Sequence, residues 1–210
     1  MIANTVAGRV TEAARSSLPT NHGRFEAIGF FDLATGDEHL VLVSALGMGN
    51  SDTPALVRVQ SECLTGDVFG SQRCDCGAQL QQALALIAGQ PGALIYLRGH
   101  EGRGVGLLAK LEAYRLQDDG LDTVDAQLAL GLPVDSREYG AATAILDAMG
   151  VTRVRLLTNN PEKAQAVRAA GIDLVAVESL YAPCTPSNAA YLRAKRDRLG
   201  HTLPLDLTPA

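Results

Sequence analysis

The sequence has no tryptophan, and aromatic residues make up only 4% of its 210 positions. That leaves little from which to build a platform for stacking single-stranded bases. Positive charge is not in excess either. The net charge is −5, which argues against broad binding to a nucleic-acid backbone. No run of 18 or more apolar residues occurs, so no membrane-spanning helix is expected. The segment Met1 to Leu18 carries charged and polar residues throughout and lacks an apolar signal core. Internal repeats and low-complexity stretches are missing as well. A soluble, cytoplasmic protein without nucleic-acid or membrane partners is the expectation. In that compartment disulfides are not expected. A small anionic ligand, which needs only a few converging cations, stays open.

What is present begins with enough apolar residue, 47%, to bury a sizeable core. Ala3 to Arg15 reads as a short amphipathic helix. Arg24 to Asp32, Glu38 to Ser44 and Pro54 to Ser61 read as strands, with turns at Thr35 to Asp37 and Gly47 to Asp52. Gln79 to Ala88 has helical spacing through Leu80, Leu84 and Ile87. Gly92 to Leu97 is a buried strand that runs into the glycine-rich turn Gly99 to Gly106, and a helix follows to about Asp118. Helices are expected near Thr123 to Leu130, Tyr139 to Met149, Glu162 to Ala170 and Ala189 to Leu199, with strands at Val154 to Leu157 and Leu174 to Val177. The fold class is therefore α/β. Antiparallel N-terminal strands, then alternating strands and helices, predict a mixed β-sheet with helices packed on it.

Four cysteines occur, and Cys63, Cys74 and Cys76 fall close together. Three thiolates suit zinc, and a catalytic zinc site typically keeps three protein ligands and a water. Buried inert thiols are the other reading. Their neighbours Glu62, Asp67, Arg73 and Asp75 speak against an apolar pocket. Cys184, between Pro183 and Pro186, reads as a free thiol, and His22, His39 and His201 read as solvated surface.

Three further segments have two readings each. Gly99-His100-Glu101-Gly102-Arg103-Gly104-Val105-Gly106 follows a strand and opens a helix, either as an anion cradle or as a tight turn. Asp135-Ser136-Arg137 is a charged pair or a helix start. Thr158-Asn159-Asn160-Pro161 with Lys163 lies where open α/β sheets bind ligands, although a turn with proline at the first helical position explains all but Lys163.

Taken together, the strings Arg58-Val-Gln-Ser-Glu-Cys-Leu-Thr-Gly-Asp67, Arg73-Cys-Asp-Cys-Gly-Ala-Gln79, Gly99-His-Glu-Gly-Arg-Gly-Val-Gly-Leu107, Tyr114-x-Leu-Gln-Asp118, Asp122-Thr-Val-Asp-Ala126, Asp135-Ser-Arg137 and Leu156-Leu-Thr-Asn-Asn-Pro-x-Lys163 resemble GTP cyclohydrolase II, in the family's order and spacing. The resemblance runs from about Arg24 to His201. It implies one catalytic domain over 1–210, in the stand-alone form, taking GTP to a diaminopyrimidine ribosyl phosphate, formate and pyrophosphate at the start of riboflavin biosynthesis. It implies one Zn²⁺ on Cys63, Cys74 and Cys76 plus water, Mg²⁺ with the triphosphate, and a homodimer. It matches Asp135 to a proton acceptor, Arg137 to a nucleophile towards the α-phosphorus and Tyr114 to a tyrosine near the zinc. Arg58, Val59, Gln60, Ser61, Glu62, Gln79, Glu101, Gly102, Arg103, Thr123, Thr158 and Lys163 match positions that contact GTP. Departures are Gln60, where histidine is frequent, Gln127, where asparagine is usual, and the segment Tyr181 to Asn188. Two alternatives stay open: a paralogue that stops at the formylamino intermediate, and a GTP-binding module with structural zinc.

Overall fold

The computed structural model describes residues 8–50 and 52–208. They form strands β1 (Val10–Thr20), β2 (Gly23–Asp32), β3 (Glu38–Ser44), β4 (Ala55–Ser61), β5 (Gly92–Leu97), β6 (Arg153–Leu157) and β7 (Asp173–Glu178). The helices are α1 (Leu64–Asp67), α2 (Cys76–Ala88), α3 (Leu107–Asp118), α4 (Thr123–Ala129), α5 (Gly140–Ala148), α6 (Pro161–Ala169) and α7 (Ala189–Leu199), with a single 3-10 turn at Glu101–Arg103. The chain divides into two compact units that interleave in sequence. The first comprises Met1–Gln60, Gln82–Arg98 and Glu138–Leu180; the second comprises Ser61–Gln81, Gly99–Arg137 and Tyr181–Ala210. No helix among the described residues is long and apolar enough to cross a membrane.

The first unit is the sheet, in the order β1-β2-β3-β5-β4-β6-β7. β1, β2, β3 and β5 pair antiparallel, whereas β4, β6 and β7 pair parallel. This is the mixed α/β sheet that the residue pattern predicts. The central strands are buried along nearly their whole length, while the edge strands β1 and β7 are largely open to solvent or alternate. That is the pattern expected where helices cover a sheet centre and leave its margins wet. Val57 and Val59 on β4 join Ile95, Ile145, Leu146 and Leu156 in one apolar cluster. Arg58 and Gln60, at the alternate positions, are buried too. α5 presents Ala141, Ala142 and Ala144 among its buried residues, and such small side chains let a helix approach closely.

The N-terminal helix expected over Ala3 to Arg15 is not found among the described residues. Val10 to Arg15 lies in strand β1, and Ala3 to Ala7 lies outside the described residues. The composition of the segment favours a helix, but β1 pairs with β2 from Val10↔Asp32 to Thr20↔Gly23, and that ladder overrides local propensity. Pro19 fits because β1 is an edge strand, where a missing N–H removes no ladder bond on the open side. The turn that closes the hairpin, Asn21-His22, is pinned by Thr20, whose Oγ1 donates to the Gly23 carbonyl at 2.8 Å. His39 is also not a solvated histidine. It is 4% exposed, its Nδ1 accepts from the Arg98 amide at 3.3 Å, and its Nε2 lies 3.8 Å from the buried Asp32 carboxylate. Burial pushes its pKa down, against the pull of Asp32.

Candidate metal centre

The three cysteines converge in the second unit. Their sulfurs all lie within 4.8 Å of one another, and Cys63 Sγ and Cys74 Sγ are 3.8 Å apart. Tetrahedral zinc with Zn–S bonds of about 2.3 Å separates its sulfurs by about 3.8 Å, so the donor set fits that ion. Glycine makes the convergence possible. A Cβ on Gly66, in α1, would sit 2.8 Å from Cys74 Sγ and 3.1 Å from Cys63 Sγ. A Cβ on Gly77, in the first turn of α2, would collide with the Gly66 carbonyl. The backbones of α1 and α2 therefore approach through two residues without side chains, and the sulfurs meet above them.

The electrostatics of the cluster are lopsided. The Cys74 and Cys76 thiols donate to Cys63, and with the nearby Lys110 ammonium they hold the Cys63 pKa far below the ordinary thiol value. The same bond to Cys63 pushes Cys74 up to about 11. Cys76 is raised by its bonds to Cys63 and Cys74 and by burial. Of the three sulfurs, Cys63 is the one biased towards the thiolate. A metal ion that takes all three sulfurs must displace the remaining protons.

Lys110 stands beside this thiolate, and sequence reasoning missed it. Its Nζ donates to Cys63 Sγ at 3.1 Å and to Glu101 Oε1 at 2.5 Å. Burial disfavours the ammonium, but Cys63 and Glu101 outweigh it and keep the group protonated. Lys110 and Tyr114 are four residues apart on α3 and so share a face. Tyr114 OH lies 3.5 Å from Thr65 Oγ1, which is 3.8 Å from Cys63 Sγ. Tyr114 was legible; the position one turn before it was the available signal for Lys110. Arg73 lies over the Tyr114 ring at 4.8 Å and pairs with Asp118.

The backbone of the glycine-rich turn is bonded closely to Glu101. The Gly102 amide donates to Glu101 Oε1, the Gly104 amide to the Glu101 carbonyl and the Gly106 amide to the same carbonyl. Glu101 Oε2 accepts from the Leu64 amide at 2.6 Å, which ties the turn to the cysteine segment. Arg103 has φ of 64°, the positive φ of a non-glycine residue among the described ones. Left-handed backbone of this kind costs roughly 1–2 kcal/mol and is retained where surroundings hold it. Its guanidinium donates to Gln127 Oε1 at 2.9 Å and to Thr123 Oγ1 at 3.2 Å. Gln127, singled out as a departure from the family pattern, is thus a buried partner of Arg103.

Asp135 and Arg137 meet in a forked ion pair, with Arg137 Nε 2.9 Å from Asp135 Oδ1. The helix-start reading fails: α5 begins at Gly140, and Asp135 accepts from the Arg137 amide in a turn. Burial would raise the Asp135 carboxyl, but Arg137 holds it below the ordinary range. Ser136 donates its amide to the Arg103 carbonyl at 3.0 Å, which places this pair next to the glycine-rich turn. Gln79 Nε2 donates to Asp75 at 2.7 Å, Glu62 accepts from the Gly99 amide at 2.9 Å, and Ser61 Oγ lies 3.2 Å from His100 Nδ1.

The remaining expected ligand-binding residues lie in the first unit. Arg58 donates to Gln60 Oε1 and to the Leu157 carbonyl. Lys163, buried on α6, donates to the Val59 carbonyl at 2.7 Å. Thr158 Oγ1 accepts from the Asn160 amide, and Asn160 caps α6 with Pro161 at its first turn. The turn reading of Thr158 to Pro161 is realised, while a lysine buried against a strand carbonyl is unusual on packing grounds alone.

These features define the class first: an α/β protein with a cluster of three cysteines able to hold a metal ion, beside which a lysine and a tyrosine stand. The comparisons with known proteins narrow it. The family model described as GTP cyclohydrolase II matches residues 11–179. The chain is 55% identical to GTP cyclohydrolase-2 of Streptomyces coelicolor over 188 residues, covering 89% of this chain and 84% of the relative. It is 51% identical to the riboflavin biosynthesis protein RibBA of Mycobacterium marinum over 197 residues, covering 92% of this chain and 46% of that protein. The chain thus spans less than half of that longer relative. Among solved structures, RibBX, a two-domain 3,4-dihydroxy-2-butanone 4-phosphate synthase from A. baumannii, aligns with TM-score 0.48 at 19% identity, over 85% of this chain and 42% of that one. The chain belongs to the GTP cyclohydrolase II family and is a hydrolase of that family.

Proposed function

We propose that the chain converts GTP into 2,5-diamino-6-(5-phosphoribosylamino)pyrimidin-4(3H)-one, formate and pyrophosphate, the first step of riboflavin biosynthesis. The observation that carries this is the convergence of Cys63, Cys74 and Cys76 to within 4.8 Å beside Lys110 and Thr65, with Tyr114 joined through Thr65. A zinc ion held by Cys63, Cys74 and Cys76 would supply Lewis acidity and water activation near neutral pH, the chemistry that opening and deformylating the guanine imidazole ring requires.

The chain's own residues do the rest. Lys110 offsets the negative charge that three thiolates bring to one ion, and Glu101 holds Lys110 in place. Burial keeps the Tyr114 phenol protonated at neutral pH, so it is a proton donor for a leaving ring nitrogen. Arg137, paired with a carboxylate held below its ordinary range, stays a guanidinium. Its role at the α-phosphorus is then to stabilise the charge that develops as a water adds to phosphorus and pyrophosphate leaves, rather than to attack. Arg58 to Glu62, Gln79, Glu101 to Arg103, Thr123, Thr158 and Lys163 are assigned to GTP contacts, with Mg²⁺ on the triphosphate. A homodimer working in the cytoplasm completes the proposal.

Incubating the protein with GTP, Zn²⁺ and Mg²⁺ and assaying both products separately tests it. Formate and pyrophosphate in equal amounts are expected. Pyrophosphate without formate means the truncated reaction, and no product means a binder.

A further inference from the structure

Helix α7 lies beyond residue 179, where the family match ends. Its residues Tyr191, Lys195 and Arg198 are spaced i, i+4, i+7 and therefore share one face. That face meets three parts of the second unit at once. Lys195 Nζ donates to Asp75 Oδ1 at 2.6 Å. The Tyr191 ring lies under the Arg103 guanidinium at 5.9 Å and the Lys195 ammonium at 4.9 Å. Arg198 reaches Asp122 at 2.6 Å and Asp125 at 2.7 Å, at the start of α4. Ala189, Leu192 and Ala194 bury the helix, and Gly200 ends it in the left-handed conformation.

Asp75 is the informative partner. It sits between two of the three metal-ligating cysteines, and its side chain is 1% exposed. Its second oxygen accepts from Gln79, so both oxygens have a donor. Removing one partner of a pair buried this deeply is strongly destabilising. Residues that hold a ligand segment from outside the ligand set commonly change metal affinity by 10–100-fold when lost.

We propose that α7 is a positioning helix for the metal centre, with Lys195 latching Asp75 so that Cys74 and Cys76 present their sulfurs in a fixed orientation. This rests on the reading of the three thiols as a zinc site. Lys195 touches no ligand sulfur and acts through Asp75. Tyr191 and Arg198 align the same helix with the glycine-rich turn and with α4, so one element sets the register of all three segments.

The test is the zinc dissociation constant of the full chain, measured by competition with a chromophoric chelator, beside the ratio of formate to pyrophosphate at saturating zinc. Lys195→Met is expected to weaken zinc 10–100-fold and to slow formate release more than pyrophosphate release. Lys195→Arg, which keeps the charge, is expected to restore most of the affinity. Asp75→Asn combined with Lys195→Met, which leaves no orphaned carboxylate, is expected to bind zinc more tightly than Lys195→Met alone. If Lys195→Met does not fold, Asp75→Glu serves instead: it keeps the charge but shifts the latch by one methylene, and it should weaken zinc about tenfold. Zinc affinity within twofold of wild type in Lys195→Met or Asp75→Glu overturns the latch, as does an Arg variant no better than Met. A wild-type chain that binds no zinc overturns the metal reading itself, and the latch with it.

Discussion

The sheet unit and the thiolate unit are held together differently. The apolar cluster of Ile28, Val57, Ile95, Ile145, Leu156 and their neighbours draws every member from the sheet unit. In the thiolate unit much of what is buried is polar: Asp75, Gln79, Glu101, Arg103 and Gln127, with Cys63 and Cys74. Apolar packing is non-directional and tolerates repacking of similar volume. A buried polar network is directional, and a single missing partner leaves a desolvated group unpaired. The sheet is thus a frame whose stability is spread over many contacts. The thiolate unit depends on a few specific ones.

Breaking the frame should show the largest effect on stability. Ile145→Ala, at a fully buried position, is expected to cost about 4 kcal/mol by denaturant titration. The folded fraction should bind zinc as wild type does. Loss of zinc affinity in that fraction would erase the contrast between the two units. Gly66→Ala should do the reverse. Its methyl meets Cys74 Sγ at 2.8 Å, so zinc affinity should fall at least tenfold, while overpacking costs about 1–3 kcal/mol. Hydrogen exchange should report the change in segments 61–81 and 99–137 and leave β3, β4 and β5 protected.

Tyr114→Phe removes one hydroxyl and no packing. Formate release is expected to slow about 10²–10⁴-fold with pyrophosphate release nearly unchanged; equal loss of both would remove the tyrosine from the ring-opening step.

The smallest effect concerns pH. Arg9 holds Glu138 below the ordinary carboxylate range, and it holds Asp32 there against the effect of burial. The unfolded chain therefore binds more protons at acid pH. The stability these carboxylates contribute is fully present above their ordinary pKa values near 4 and is lost as pH falls through the folded values. His39, held neutral by burial, adds a loss that starts as pH drops below about 6.5. Asp32→Asn should flatten the acid limb of a pH–stability profile; an unchanged limb would show that the Arg9 pairing is not its source.

The cysteine cluster was visible in the sequence because all three residues lie within one short segment, and the affinity of thiols for metal does not depend on what packs against them. Strands β2 to β7 and the major helices were legible for a similar reason, since periodicity is local. β1 was not, because its state is set by pairing with β2 rather than by the helix-favouring residues it contains. His39 was unreadable because a histidine's burial is decided by its neighbours across the sheet, here Asp32 and Arg98. Lys195 is 120 residues from Asp75, and no spacing rule joins them. Gly66 and Lys110 fall between these cases: Gly66 sits inside a recognisable string and Lys110 between two of them, but only their three-dimensional approach to the cysteine sulfurs shows why they are there.

The central claim is that the three-thiolate centre performs the formate-releasing half of the reaction on GTP. The most direct measurement is bound zinc and released formate for wild type and Cys74→Ser, assayed side by side on the same GTP. The account predicts that Cys74→Ser loses zinc and formate release together. A zinc-free Cys74→Ser protein that releases formate at the wild-type rate would contradict it.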